Sequence, residues 1–412
     1  MPDNDHLLPV VVAGNIVLDM FPPLELPDGY QLCDLLVGGQ TIEVGALTTS
    51  PGGVVPNTGI SLHKLGVPVR VMGQVAGDLP GRELRDLLRA SGLDTTYLSE
   101  SKGSTSYTFV LALPDTDRIF LHYPGPAKTF STAVIAWEAI ADAGIFHLGY
   151  PPLMPLLYAN NGAQLAGLMR QAKALGATTS LDMCMLPPAS EGARQDWRAI
   201  LRATLPHVDL FLPSVEEILL LLQPDRYAAL TAAGGDITTG LGAEDFSRLA
   251  GELLEMGAGI VGLKAGRSGL YVRTASAERL ASFGRAAPAG VTGWANRELW
   301  DPGYKPRRIA TATGAGDAAV AGFLAALIRG LPLEGALRCA CALGAQNLEA
   351  PDATSSIRSW EETMRAINAG WEKNEMDRAM PGWHYDETWG QWRGPHDTCT
   401  EAETGGAPNG AG

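Results

Sequence analysis

The sequence predicts an α/β fold with a mainly parallel central sheet and a small β-sheet lid that projects from it. The first observation is a series of short, continuously apolar segments, which is typical of strands buried on both faces of a parallel sheet. The second is that segments with a helical hydrophobic period lie between them, as in repeated strand–helix units. The third is that regions 21–50 and 104–123 interrupt this alternation with turn-rich or alternating sequence.

Six apolar segments predict the strands of the main sheet, at residues 10–14, 69–73, 145–149, 178–182, 208–212 and 259–264. Helical patterns lie between them, at residues 82–90, 164–175, 214–222 and 243–256. Region 104–123 predicts two strands joined by a turn at residues 114–117. We interpret regions 21–50 and 104–123 as pieces of one small sheet that acts as a lid.

Composition and charge exclude several classes of protein. The chain has 412 residues, 46% of them hydrophobic, so it can bury a large core. Its formal net charge is −14, and we find no extended basic patch, which argues against nucleic-acid binding. The apolar runs are shorter than the ~20 residues that span a bilayer, and residues 1–15 do not resemble a signal peptide. No C-x-x-C pair occurs among the five cysteines, so we expect a reducing, cytoplasmic location.

The last part of the chain departs from the α/β pattern. We assign residues 1–357 to the main domain and residues 358–412 to a C-terminal extension. Five of the nine tryptophans fall in the extension, whereas flexible segments are usually poor in aromatic residues. We therefore expect the extension to pack in part and its last residues to be disordered.

The segment Gly314-Ala315-Gly316-Asp317 opens an apolar helical pattern. Glycines let backbone amides approach a ligand closely, and the N-terminus of a helix carries free N–H groups and a partial positive charge. Such a helix start binds anions. An aspartate beside the bound anion can accept a proton from an attacking hydroxyl, although an acidic residue in a first helical turn is also a common stabilising feature.

Two upstream motifs suggest where a polar ligand binds. Gly52 and Gly53 precede a helical pattern in which Asn57 offers both a donor and an acceptor. Asp19 follows the first predicted strand, and open α/β sheets bind ligands at the carboxyl ends of their strands. A simple turn at the glycines and a cap at Asp19 are the alternative readings.

Taken together, these motifs resemble the ribokinase-like, or PfkB, family of carbohydrate kinases. The resemblance rests on Asp19, on the Gly52-Gly53-x-x-x-Asn57 motif, on a later Gly77-Asp78 pair and on Thr313-Gly-Ala-Gly-Asp317, in this order across about residues 8–357. It implies a three-layer α/β/α fold and transfer of a phosphoryl group from ATP to a hydroxyl. The absence of G-x-x-x-x-G-K-[ST] agrees with a helix start, rather than a P-loop, as the phosphate site.

The resemblance also implies roles for individual residues. Asp317 would be the general base, and the amides of Gly314, Ala315 and Gly316 would stabilise the transferred phosphoryl group. The sugar hydroxyls would be held by the four residues of the upstream motifs: Asp19, Gly52, Gly53 and Asn57. The nucleotide would contact the loop after the last predicted strand and one later helix, at Lys264, Gly266, Ser268, Gly269 and Asn347. Glu217 would organise Mg²⁺.

Three positions depart from the family pattern. Ser214 replaces the asparagine of an N-x-x-E element, so we expect serine to order a water there. Cys184 replaces an asparagine that many members carry. Thr311 replaces an aspartate associated with a monovalent-cation site, which argues against activation by potassium.

The acceptor is predicted to be an unphosphorylated sugar, because Val54 occupies the position where members that bind phosphorylated sugars carry a basic residue. A nucleoside kinase remains an alternative, since Tyr107, Phe109 and Tyr123 can stack on a ring. The second alternative is a catalytically weak protein that binds a sugar or a nucleotide. An exposed lid sheet also predicts a homodimer formed through the lid.

Overall fold

A central sheet of eleven strands and a separate sheet of four form the framework of the protein. The computed structural model describes residues 7–24, 38–39, 41–111 and 119–398. The strands, in chain order, are β1 Val10–Gly14, β2 Val17–Phe21, β3 Thr48–Gly52, β4 Val69–Ala76, β5 Leu98–Ser101, β6 Tyr107–Leu111, β7 Ile119–Tyr123, β8 Ile145–Gly149, β9 Thr178–Asp182, β10 Leu210–Phe211, β11 Ile260–Lys264, β12 Leu270–Thr274, β13 Glu298–Asp301, β14 His384–Asp386 and β15 Gln391–Arg393.

The helices lie between these strands and after them. In chain order they are α1 Val54–Lys64, α2 Leu79–Ala90, α3 Pro155–Ala174, α4 Trp197–Thr204, α5 Val215–Leu222, α6 Pro224–Ala233, α7 Ala243–Glu255, α8 Ala277–Ala281, α9 Ala315–Ile328, α10 Leu333–Asn347 and α11 Trp360–Asn368. No helix within the described residues is both long enough and apolar enough to cross a membrane.

The main sheet has the strand order β14-β15-β13-β12-β11-β10-β9-β8-β1-β4-β5. The seven strands from β11 to β5 are parallel, and β12, β13, β15 and β14 continue the sheet in antiparallel pairs. This confirms the prediction of a mainly parallel sheet. The antiparallel edge was not predicted, and its last two strands come from the C-terminal extension.

Helices cover both faces of the main sheet. Along β1, Val11 faces a core that includes α3 and α7, whereas Val10 and Val12 face a core that includes α9 and α10. Successive side chains of a strand point to opposite faces, so each strand contributes to both cores. The predicted three-layer α/β/α arrangement is therefore confirmed.

The small sheet has the strand order β3-β2-β6-β7 and combines parts of both interrupting regions. The predicted turn at residues 114–117 lies outside the described residues. Asp19 requires a correction, because it does not follow a strand of the main sheet. It lies in the middle of β2, opposite Ser50 of β3 and Thr108 of β6.

The described part of the extension packs against the main domain. Trp383 is buried and makes edge contacts with Tyr271 and Trp300. Trp371 stacks on Tyr304 with ring centroids 4.9 Å apart. The last residues of the extension, for which the sequence predicts disorder, lie outside the described part of the chain.

Candidate active site

The carboxyl ends of the parallel strands bring the candidate residues together. Tyr150 follows β8, Asp182 ends β9 and Lys264 ends β11, while Asn15 follows β1. The N-terminus of α9, with Asp317 in its first turn, meets this edge of the sheet. A ligand site at this edge is the general expectation for open α/β sheets.

Asp317 is buried, and its two carboxylate oxygens differ in their surroundings. Asn57 donates a hydrogen bond from Nδ2 to Oδ2 at 2.8 Å, and Tyr150 donates from its hydroxyl to the same oxygen at 2.7 Å. Oδ1 has no hydrogen-bond partner in the described part of the chain. Burial raises the pKa of Asp317, and the two hydrogen bonds oppose that rise. Oδ1 is thus the atom left to accept a proton.

The start of α9 presents free backbone donors beside this carboxylate. Gly314 has φ 82°, a left-handed conformation that glycine adopts without strain. The amide of Ala315 donates to the carbonyl of Ala312, whereas those of Gly314, Gly316 and Asp317 have no backbone acceptor among the described residues. The glycines are half-buried, so the helix start opens towards solvent. It is suited to hold an anion.

Lys264 adds a positive charge to the same place. Its ammonium group lies 2.7 Å from both carboxylate oxygens of Asp182. A Cβ placed on Gly316 would lie 3.2 Å from Nζ of Lys264, so glycine permits this close approach. Burial lowers the pKa of Lys264, but the neighbouring carboxylates of Asp182 and Glu217 outweigh it and raise that pKa overall. We assign the lysine as charged and paired.

Glu217 lies at the start of α5 and is nearly buried. Its carboxylate accepts a hydrogen bond from the amide of Ser214 at 2.7 Å, and the Ser214 hydroxyl accepts one from the amide of Glu217 at 3.2 Å. Ser214 therefore caps the helix, and the water expected at its hydroxyl stays a prediction. Among the described residues, no three His, Cys, Asp or Glu side chains form a group that can hold a metal ion.

Asp19, Gly52, Gly53 and Asn57 lie at the junction of the small sheet and α1. A Cβ on Gly52 would overlap the carboxylate of Asp19, so glycine is needed at this position. Burial raises the pKa of Asp19 to about 6, and the Thr108 hydroxyl opposes that rise. The side-chain oxygens of Asn57 and of nearby Asn15 are buried without hydrogen-bond partners in the described chain. Such oxygens can accept hydrogen bonds from ligand hydroxyls.

The nucleotide residues expected from the sequence lie in a loop after β11 and at the end of α10. Gly266 and Ser268 form a tight turn, which Gly269 ends with φ 83°. The hydroxyl of Ser268 is occupied, because it donates to Asp377 and accepts from Arg378 of the extension, both at 2.8 Å. Asn347 is buried and donates to the carbonyl of Ala353 at 2.6 Å, directly behind Gly314.

Sequence reasoning missed Tyr150 and Asn15. Tyr150 has φ 65° and ψ 39°, a left-handed conformation that is uncommon outside glycine and asparagine. Residues held in such conformations cluster at functional sites, but the sequence carries no signal of it. Asn15 directly follows β1, but its role depends on Gly53, whose Cβ would overlap with its backbone.

Comparison with known proteins places the chain in a family. The model of the pfkB family carbohydrate kinases matches residues 29–360. Probable fructokinase-7 of Arabidopsis thaliana is 28% identical over 198 residues, which are 46% of this chain and 53% of that protein. The match thus spans about half of the fructokinase. A nucleoside kinase of Methanothermobacter thermautotrophicus is 24% identical over 78% of this chain and 85% of its own length.

Solved structures show the same fold. A fructokinase from Xylella fastidiosa with bound ATP superposes with a TM-score of 0.64 at 20% identity, covering 88% of this chain and 98% of the other. The ribokinase of Arabidopsis thaliana, complexed with ribose and ATP, gives a TM-score of 0.63 at 19% identity over 88% of this chain and 99% of its own. The family model covers most of the chain and the neighbours share its fold, so the protein belongs to the pfkB family of carbohydrate kinases.

Proposed function

We propose that the protein transfers the γ-phosphoryl group of ATP to a hydroxyl of an unphosphorylated sugar. The observation that carries the proposal is Oδ1 of Asp317, a buried carboxylate oxygen without a partner in the described chain, beside the free amides of Gly316 and Asp317. A base and an anion site side by side are what phosphoryl transfer to an alcohol requires.

In this mechanism Asp317 accepts the proton. Asn57 and Tyr150 hold Oδ2, which turns Oδ1 towards the acceptor hydroxyl. The oxygen of that hydroxyl forms a bond to the γ-phosphorus while the bond from phosphorus to the β,γ-bridging oxygen breaks, and the proton passes to Oδ1. Asp19, Asn57 and the two glycines at the start of α1 position the sugar.

The charge of the transferred group is stabilised by fixed donors. The free amides at the start of α9 and the ammonium of Lys264 converge on Gly316. In many enzymes, hydrogen-bond donors that are already aligned with the developing charge make the largest single contribution to the rate enhancement. ATP brings the phosphoryl group. We propose that the nucleotide is held by the loop of Gly266, Ser268 and Gly269, together with Asn347 behind the start of α9.

Mg²⁺ is proposed to bind with the nucleotide. Mg²⁺ usually takes one or two protein carboxylates together with substrate phosphates, and does not need a cage of protein ligands. Glu217 suits this role, since only one of its oxygens is used by the helix cap. The ion would neutralise charge on the phosphates. Thr311 argues against an additional potassium site.

Val54 favours a sugar without a phosphate. It directly follows the glycine pair and is buried, so no positive charge faces a second phosphate from this position.

A nucleoside acceptor is the second candidate, favoured by the similarity to a nucleoside kinase over 78% of the chain. Tyr107 and Tyr123 of the lid stack with centroids 5.4 Å apart and offer an aromatic surface for a base. A cytoplasmic location stays a prediction.

A coupled assay of ADP release with a panel of sugars and nucleosides tests this proposal. We expect turnover with a free hexose or pentose, and at least a 100-fold loss of kcat in Asp317→Asn, the scale of losing a general base. Turnover with nucleosides alone would favour the second candidate. Absence of turnover with every acceptor, with ATP still bound, would instead favour a binding protein.

A further inference from the structure

The loop after β11, residues 265–269, is held by the C-terminal extension. Ser268 is the link, because its hydroxyl donates to Oδ2 of Asp377 and accepts from Nη2 of Arg378, both at 2.8 Å. Arg378 also contacts Oδ1 of Asp377 at 2.9 Å. Ser268 is 1% exposed, so this triad replaces water around its hydroxyl.

Arg378 is fixed in place by its own surroundings. Its guanidinium lies over the rings of Trp300 and Phe246, 4.9 and 5.1 Å from their centroids. It also donates to the carbonyl of Leu241 at 3.1 Å. Because the guanidinium is already stacked and hydrogen-bonded, the Arg378 side chain loses little conformational freedom when it contacts Ser268. Arg378 is therefore a rigid support for Ser268.

A second contact holds the neighbouring residue of the loop. The side-chain amide of Asn374 donates to the carbonyl of Arg267 at 2.9 Å, and its backbone amide donates to the carbonyl of Gly303 at 3.0 Å. Lys373, the preceding residue, pairs with the buried Asp301 at 2.7 Å. From the other side Trp300 donates to the carbonyl of Ser268 at 2.8 Å. The loop is thus clamped between the main sheet and the extension.

We infer that Asn374, Asp377 and Arg378 are positioning residues that fix loop 265–269 for the nucleotide. The inference rests on the proposed function, in which this loop binds ATP. The loop follows Lys264 directly, so its conformation also sets where that lysine meets the start of α9. All three residues lie beyond residue 360, where the match to the family model ends.

Two measurements on Arg378→Ala test the inference. Hydrogen exchange of the full-length protein reports on the loop itself and does not depend on activity. We expect the amides of residues 265–269 to exchange at least tenfold faster, while those of β9 stay unchanged. Steady-state kinetics with the best sugar of the panel report on function, and we expect KM for ATP to rise about tenfold with KM for the sugar within twofold.

Arg393→Ala is the matched control. Arg393 also belongs to the extension and pairs with Asp386 at 2.6 Å, but its side chain makes no hydrogen bond or ion pair with loop 265–269 in the described chain. Arg378→Lys keeps the charge without the planar fork and should recover part of the ATP affinity. Should Arg378→Ala fail to fold, Asn374→Ala is measured in the same way. It removes the hydrogen bond to the Arg267 carbonyl, together with two longer contacts to the carbonyls of Pro302 and Tyr304.

The inference is overturned if Arg378→Ala and Asn374→Ala leave exchange of the loop equal to that of Arg393→Ala. A uniform rise of both KM values would equally overturn it, since a merely structural role affects both substrates. Failure of the proposed function has a different signature. The wild-type protein would then phosphorylate no acceptor, while the exchange measurement would still decide whether the extension orders the loop.

Discussion

The hydroxyl of Tyr150 lies 2.7 Å from Oδ2 of Asp317, the same carboxylate oxygen that Asn57 contacts from α1. Both neighbours donate to one oxygen, so the other is left for the reaction. The tyrosine makes this contact from a left-handed backbone, directly after β8. A conformation of this kind, kept by the surrounding structure, is often part of a mechanism.

Tyr150→Phe should lower kcat about tenfold or more, because a hydrogen bond to a charged group contributes about 1.5–3 kcal/mol. The hydrogen bond opposes the raised pKa of Asp317, so its loss should also move the acidic limb of the kcat profile to higher pH. Stopped assays from pH 5 to 8 measure both effects. Tyr158→Phe removes a hydroxyl from a core tyrosine and serves as the control. Equal kcat and pH profile in the two variants would contradict the role of Tyr150.

Lys264→Met should abolish turnover and destabilise the fold. Asp182 is buried, and removal of its partner leaves a charge unpaired, which typically costs about 3–5 kcal/mol. The double variant Lys264→Met/Asp182→Asn should regain much of the free energy of unfolding, measured with urea, but none of the activity. A double variant with activity near that of the wild type would show that Lys264 does not stabilise the phosphoryl group.

Acceptor binding should weaken as pH falls through about 6, because burial raises the pKa of Asp19 to about 6 and only the ionised carboxylate accepts hydrogen bonds at both of its oxygens without donating one. Stability should respond in the opposite direction. A carboxyl group whose pKa is higher in the folded than in the unfolded protein stabilises the fold when protonated, and this contribution is lost as pH rises through 6.

Asp19→Asn tests this assignment. It should remove the dependence of the sugar KM on pH between 5 and 7 and leave KM for ATP unaffected. An unchanged profile would mean that another group titrates.

Gly52→Ala should raise the KM of the sugar at least tenfold. The added methyl group would overlap the carboxylate of Asp19, which must then move away from its place between β3 and β6. Gly167→Ala is the control, since nothing lies within 4 Å of its Cβ position and it lies inside α3. Sugar kinetics within twofold of the control would indicate that Asp19 does not position the acceptor.

The small sheet should mediate a homodimer. The edge strand β7 exposes Phe120 by 53%, Leu121 by 55% and Tyr123 by 40%, and neighbouring side chains point to opposite faces. Apolar side chains on an open edge strand favour pairing with a second copy. We expect a dimer by light scattering at micromolar concentration and a monomer for Leu121→Lys. Leu79→Lys, at an exposed position on α2, is the control, and a monomeric wild type refutes the prediction.

The local parts of the fold and site could be predicted from the sequence. The start of α9 is encoded by a few neighbouring residues, whose glycines and aspartate have physical reasons to stand together. The parallel strands are continuous apolar runs, and β8 and β9 have the predicted bounds of 145–149 and 178–182.

The remaining features depend on contacts between distant residues. Tyr150 meets Asp317 across 167 positions, and no local pattern signals its left-handed backbone. Asp19 was misplaced because the chain moves from the main sheet to the small sheet within two residues after β1. Strands β14 and β15 have three residues each, too few for a hydrophobic period. Their pairing with β13 is set by the surrounding structure.

The order in which the chain is synthesised gives β15 a further consequence. The parallel strands emerge from the ribosome early and can associate, because all their partners precede residue 265. The edge of strand β13 stays unpaired until β15, Gln391–Arg393, has been synthesised and can pair with it. A nascent chain therefore carries an unprotected sheet edge between the synthesis of β13 and that of β15, and a chaperone that shields such edges would act during this interval.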